Sequence, residues 1–167
     1  AWGIGASEAE HVLATQTLAQ AKPKTMRVNF EGTLKPGVYA KDMILALIGT
    51  IGAQGGIGYA TEYAGSAVRD LPIDGRLTLC NMSIEFSCKY GFVAPDEKTF
   101  EYLKGAEFSP KGAAWEKATD YWRTLKTDDD AVFDKEITID CETLEPQVTW
   151  GISPQQVGSI CATVPKP

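Results

Sequence analysis

The chain has 167 residues, 44% of them hydrophobic, which is enough for one domain with its own apolar core. A net charge of −6, with 16 scattered cationic side chains of which only four are arginine, argues against nucleic acid, whose phosphates call for clustered Lys and Arg. No apolar run approaches the roughly 20 residues that span a bilayer, and the longest, residues 43–51, falls far short. Ala1-Trp2-Gly3-Ile4-Gly5 lacks the basic-then-apolar pattern of a signal peptide, so a cytoplasmic location is expected. With no initiator Met, the chain is expected to be an internal piece of a longer protein.

The elements follow in order. Ser7-Glu8-Ala9-Glu10 fits the S-x-x-E capping box and predicts a helix through about Gln20, with Val12, Leu13 and Leu18 inward. Pro23 stops it. Met26, Val28 and Phe30 then alternate with Arg27, Asn29 and Glu31, which is a strand pattern. Pro36-Gly37 makes a turn, and residues 41–49 form a helix apolar on most sides and therefore buried. The glycine-rich stretch 49–58 predicts backbone that turns tightly or approaches something closely; it contains no Gly-Lys-Ser/Thr, which excludes a P-loop.

Residues 59–64 read as a short strand, and 71–89 should hold a long helix entered near Pro72. Residues 91–94 form a short buried strand, and Asp96 caps a helix to about Leu103. A further helix spans 113–125, with Trp115 and Trp122 seven residues apart on one face. Thr127-Asp128-Asp129-Asp130 is a solvated loop, and 135–141 alternates as a strand. Strands alternating with helices predict a three-layer α/β/α architecture around a mainly parallel sheet.

Chemistry-bearing residues are few. Cys80, Cys88, Cys141 and Cys161 show no C-x-x-C spacing, and with no sign of export they read as reduced thiols. His11 is the lone histidine, so zinc is not expected, and the residue reads as a surface or packing position. Gly3-Ile4-Gly5 lacks the third glycine and the preceding strand of a dinucleotide fingerprint. Asn81-Met82-Ser83 matches a glycosylation sequon but lies in a predicted helix. Asn81 and Glu85 are more informative. At i, i+4 on a helix they present an amide and a carboxylate on one face, able to hydrogen-bond a substrate hydroxyl or a water. Spacing alone favours an exposed polar stripe.

The surrounding text reverses that preference. The run Gly75-Arg76-Leu77-Thr78-Leu79-Cys80-Asn81-Met82-Ser83-Ile84-Glu85 resembles the C-N-M-x-x-E helix of the aconitase superfamily. Residues 7–18 are similar to the segment that follows the D-S-H-T motif in the large subunits of isopropylmalate dehydratases. Lys41-Asp42, Gly55-Gly56-Ile57-Gly58, Glu62-Tyr63, Val93-Ala94-Pro95-Asp96-Glu97 and Gln147-Val148-Thr149-Trp150-Gly151 continue the resemblance in the same order. Only the stretch after Gly158 departs from it.

The resemblance implies that residues 1–23 end a first domain, 24–146 form a middle α/β domain, and 147–167 begin a third. It implies a hydro-lyase that interconverts 2-isopropylmalate and 3-isopropylmalate by dehydration and rehydration in leucine biosynthesis. It implies, too, a [4Fe-4S] cluster in the full-length protein that supplies a Lewis-acid iron. By the same resemblance Asn81 is expected to hydrogen-bond the substrate hydroxyl or a neighbouring carboxylate, and Glu85 to hold the departing and returning water and help move its proton. None of the four cysteines matches the family's cluster ligands, which are expected in the third domain, so no cluster is expected on this chain alone. The D-S-H motif is expected before Ala1, the arginine clamp for the dicarboxylate substrate beyond Pro167, and the catalytic serine on a separate small subunit. By itself the chain is expected to be inactive and prone to self-association. Homoaconitase or a related dehydratase, and a non-catalytic α/β binding domain, stand as alternatives.

Overall fold

A computed structural model describes residues 1–163. Its centre is a four-stranded sheet of β1 (Lys24–Glu31), β2 (Tyr59–Ala64), β3 (Tyr90–Phe92) and β4 (Lys135–Asp140) in the order β3-β2-β1-β4. All three pairings are parallel. The period-2 pattern of β1 sends Met26, Val28 and Phe30 into the core, where none has any exposed surface. α2 (Ala40–Ile51) lays Met43, Ile44, Leu47 and Ile48 against them. From β1 the chain steps outward through α2 to β2, and then through α3 (Ser66–Asp70) and α4 (Ile73–Asn81) to β3. It then returns past both strands to place β4 beside β1. α2 and α4 pack against each other on one face of the sheet, and the right-handed rule for parallel crossovers assigns the return through α5 (Glu97–Leu103) and α6 (Ala113–Arg123) to the other. The three layers and the parallel sheet are those the sequence predicts.

Several local expectations need correction. α1 (Ala6–Thr15) starts one residue before Ser7, because the Gly5 N–H donates to the Glu8 carboxylate at 2.8 Å; the box at 7–10 does not form. The helix ends five residues early, with Gln16 in the left-handed region at φ 55°. Its face is only partly inward: Val12 and Leu18 are half-buried, whereas Leu13 is 85% exposed and α1 fully buries no residue.

The long helix expected over 71–89 is α4 alone, followed by consecutive turns over 82–87. Ser87 adopts φ 64°, and the Cys88 N–H bonds back to the Ser83 carbonyl at 2.9 Å. The left-handed residue closes the turn and frees the chain to enter β3. β3 is an edge strand and is not fully buried: Phe92 is 42% exposed.

α3 and a C-terminal ribbon have no counterpart in the sequence reading. The ribbon pairs β5 (Gln147–Thr149) antiparallel with β6 (Val157–Ser159) and docks on α2. Asp42 anchors it, one carboxylate oxygen accepting from the Tyr39 N–H and the other from the Gln147 N–H, each at 2.7 Å.

Candidate functional site

α4 runs antiparallel to the strands, so its last residue, Asn81, and the turns after it lie at the N-terminal edge of the sheet. Three backbone contacts fix that place. The Gly56 N–H donates to Phe86 O at 3.0 Å, and the Lys89 N–H donates to Tyr59 O at 2.9 Å. Ala1 exchanges hydrogen bonds with Gly91, extending β3 with an antiparallel bridge between Trp2 and Tyr90.

Asn81 and Glu85 therefore do not share one regular helix, as the spacing predicts, but helical periodicity outlasts the helix. The Ser83 and Ile84 N–H groups reach back three residues, and the Phe86 N–H reaches four residues to Met82 O. Leu79, Ser83 and Phe86 point inward with no exposed surface, whereas Leu77, Asn81, Ile84 and Glu85 are exposed. The amide and the carboxylate thus belong to the outward face of one ridge, one turn apart. Among the described residues neither side chain has a hydrogen bond or ion pair to the protein.

Glycines let this ridge sit close to its support. A Cβ on Gly91 would lie 2.6 Å from Ser83 Cβ and 3.1 Å from Cys80 O. One on Gly56 would lie 2.7 Å from Phe86 O. The close approach expected of the 49–58 run is this contact.

Beneath the ridge, β2 supplies two buried side chains. Tyr63 Oη and Ser83 Oγ are 2.8 Å apart, and Thr61 Oγ1 and Cys88 Sγ are 2.9 Å apart. Burial pushes the Tyr63 phenol well above its ordinary range, so it stays protonated. The alternation of β2 could have placed both residues on the core side, but their partners come 20 and 27 residues later, where no sequence pattern points.

A second unforeseen contact joins α4 to α5. Arg76, 4% exposed, makes a two-pronged ion pair with Asp96, both oxygens at 2.7 Å, and holds the Asp96 carboxyl below the usual carboxylate range. Asp96 also caps α5, as predicted, accepting from the Thr99 N–H at 3.3 Å.

The cysteines do not make a metal centre. Cys80, Cys88 and Cys141 are buried, and burial raises all three thiols, Cys141 to about 12. Cys161 is exposed. Among the described residues no three His, Cys, Asp or Glu side chains converge as a metal-ligand set. His11 is exposed on α1. A cavity of 690 Å³ opens at the opposite edge of the sheet, between the starts of α2 and α4, and Asn81 and Glu85 do not line it.

This Cys-Asn-Met-x-x-Glu ridge, with Asn81 and Glu85 exposed on a parallel α/β sheet, has a family. The pattern of the aconitase family (aconitate hydratase) matches residues 1–167, and the chain belongs to that family. It is 58% identical over all its residues to 3-isopropylmalate dehydratase large subunit 1 of Bradyrhizobium diazoefficiens. It spans 35% of that relative's length.

Proposed function

We propose that this chain is part of the large subunit of an iron–sulfur hydro-lyase that interconverts 2-isopropylmalate and 3-isopropylmalate in leucine biosynthesis. The observation that carries the reading is identity of 58% sustained over every residue to a large subunit of that name. In the proposed layout residues 1–23 end a first domain, 24–146 form the middle domain, and 147–167 begin a third. The absence of any buried residue in α1 supports a helix that packs on neighbours outside this chain. The name "large subunit" supports a small-subunit partner, and the biosynthetic role fits a cytoplasmic enzyme; among the described residues no helix is long and apolar enough to cross a membrane.

The family's [4Fe-4S] cluster is held, in this reading, by residues elsewhere in the full-length protein. Three buried thiols and one exposed one do not fit as its ligands. Asn81 and Glu85 are this chain's contribution. The Asn81 amide can donate to a substrate carboxylate while accepting from the hydroxyl. In dehydration the Glu85 carboxyl gives its proton to the departing hydroxyl, which leaves as water; in the reverse addition the carboxylate takes a proton from the water as its oxygen bonds to carbon. Their exposure at the sheet edge supports this role, because a group meant for substrate must reach an open face.

The test is turnover by the full-length subunit, reconstituted with iron and sulfide and mixed with its small subunit. Interconversion of the two isopropylmalates is expected. Preference for homocitrate or a methylmalate would replace the substrate assignment, and no hydro-lyase activity on any of these would overturn the reading.

A further inference from the structure

Asn81 and Glu85 lie at the end of a helix and in a run of turns, yet proton transfer and substrate orientation need both groups fixed to a fraction of an ångström. What fixes them is the residue between. Ser83 has no exposed surface, and its hydroxyl donates to Leu79 O at 3.2 Å. Its single proton thus spent, Ser83 Oγ accepts from the Tyr63 hydroxyl at 2.8 Å. Tyr63 is itself 1% exposed, on β2, an interior strand of the sheet between β3 and β1, and its ring packs on Phe30. The missing Cβ of Gly91 makes room for Ser83 from the far side. A rigid strand therefore grips the ridge by one buried hydrogen bond at the residue flanked by Asn81 and Glu85.

We propose that Tyr63, acting through Ser83, is the positioning residue of the Asn81–Glu85 pair. The inference rests on the catalytic reading above. Tyr63 touches no substrate in this account; its hydroxyl sets the height and rotation of the turn that carries the carboxylate.

The test is a double-mutant cycle in the full-length subunit with its small subunit. Tyr63→Phe keeps the ring and deletes the hydroxyl. It should lower kcat about tenfold with KM for isopropylmalate within about twofold of wild type. Amide exchange over 82–88 should accelerate in the same variant. In a Glu85→Gln background, adding Tyr63→Phe should change kcat less than about twofold, because the group it positions is already lost. Equal losses in both backgrounds would reduce Tyr63 to a stability residue and overturn the proposal. So would wild-type kcat in Tyr63→Phe, or unchanged exchange. Full activity in Glu85→Gln alone would instead sink the catalytic reading, and the positioning role with it. Should Tyr63→Phe fail to fold, Ser83→Ala breaks the same bond from the other side and must meet the same criteria.

Discussion

At the residue scale, burial and pairing decide which side chains respond to their surroundings. Cys161 is exposed, whereas Cys80, Cys88 and Cys141 are buried with raised thiol pKa values. A thiol reagent at about pH 8 should modify Cys161 first and the other three only on unfolding. Peptide mass mapping reads this directly, and early labelling of Cys141 would contradict the packing. Asp96 carries a pH dependence. The Arg76 guanidinium lowers its pKa in the folded state, so the pair's stabilisation is complete above the unfolded carboxylate value of about 3.9 and is lost as pH falls through the depressed folded value. Asp96→Asn should therefore flatten the acid limb of stability in urea titrations between about pH 5 and 2. Asp96→Ala should cost about 2 kcal/mol at neutral pH, less than a fully sealed pair, because Asp96 is 39% exposed while Arg76 is not. An acid limb identical to wild type would remove Asp96 from the account.

At the element scale, the 49–58 loop and the turns after α4 are two halves of one contact. Gly56→Ala would force a Cβ against Phe86 O and the Cys88 sulfur, with a cost of about 2 kcal/mol and a loosened 82–88 segment. Thermal unfolding measures the first and amide exchange the second; an unperturbed Gly56→Ala would mean that the loop and the ridge are not in contact. Elements with strong internal pattern were legible in the sequence: the alternation of β1, the apolar run of α2, the Asp96 cap, and the Trp115–Trp122 face, whose rings meet edge to face 5.6 Å apart. Boundaries set by distant contacts were not. The break after Asn81 depends on Ser83 and Cys88 being held by β2, and the β5–β6 ribbon depends on Asp42, 105 residues from Gln147. Leu13 misled for a related reason: amphipathic spacing predicts a buried face but not where its partner lies.

At the scale of the whole molecule, the sheet provides a rigid platform and the ridge at its N-terminal edge provides the polar groups. Open parallel sheets more often bind ligands at the other edge, where the strands' C-terminal ends meet. A cavity of 690 Å³ does lie there. Fold alone would therefore direct attention to the other edge, and it was the Cys-Asn-Met-x-x-Glu text that made Asn81 and Glu85 candidates. Spacing of four residues could not separate a site from a solvated stripe. The structure adds that both groups are exposed and, among the described residues, free of hydrogen-bond partners; the chemistry proposed for them rests on the family resemblance.

The most direct test of that chemistry is kcat for Glu85→Gln in the reconstituted full-length enzyme with its small subunit. Replacing the carboxylate by an amide of nearly equal shape removes proton transfer and leaves the surface intact. The account predicts a fall of at least about 100-fold with an unchanged melting temperature. Turnover within about threefold of wild type would contradict it.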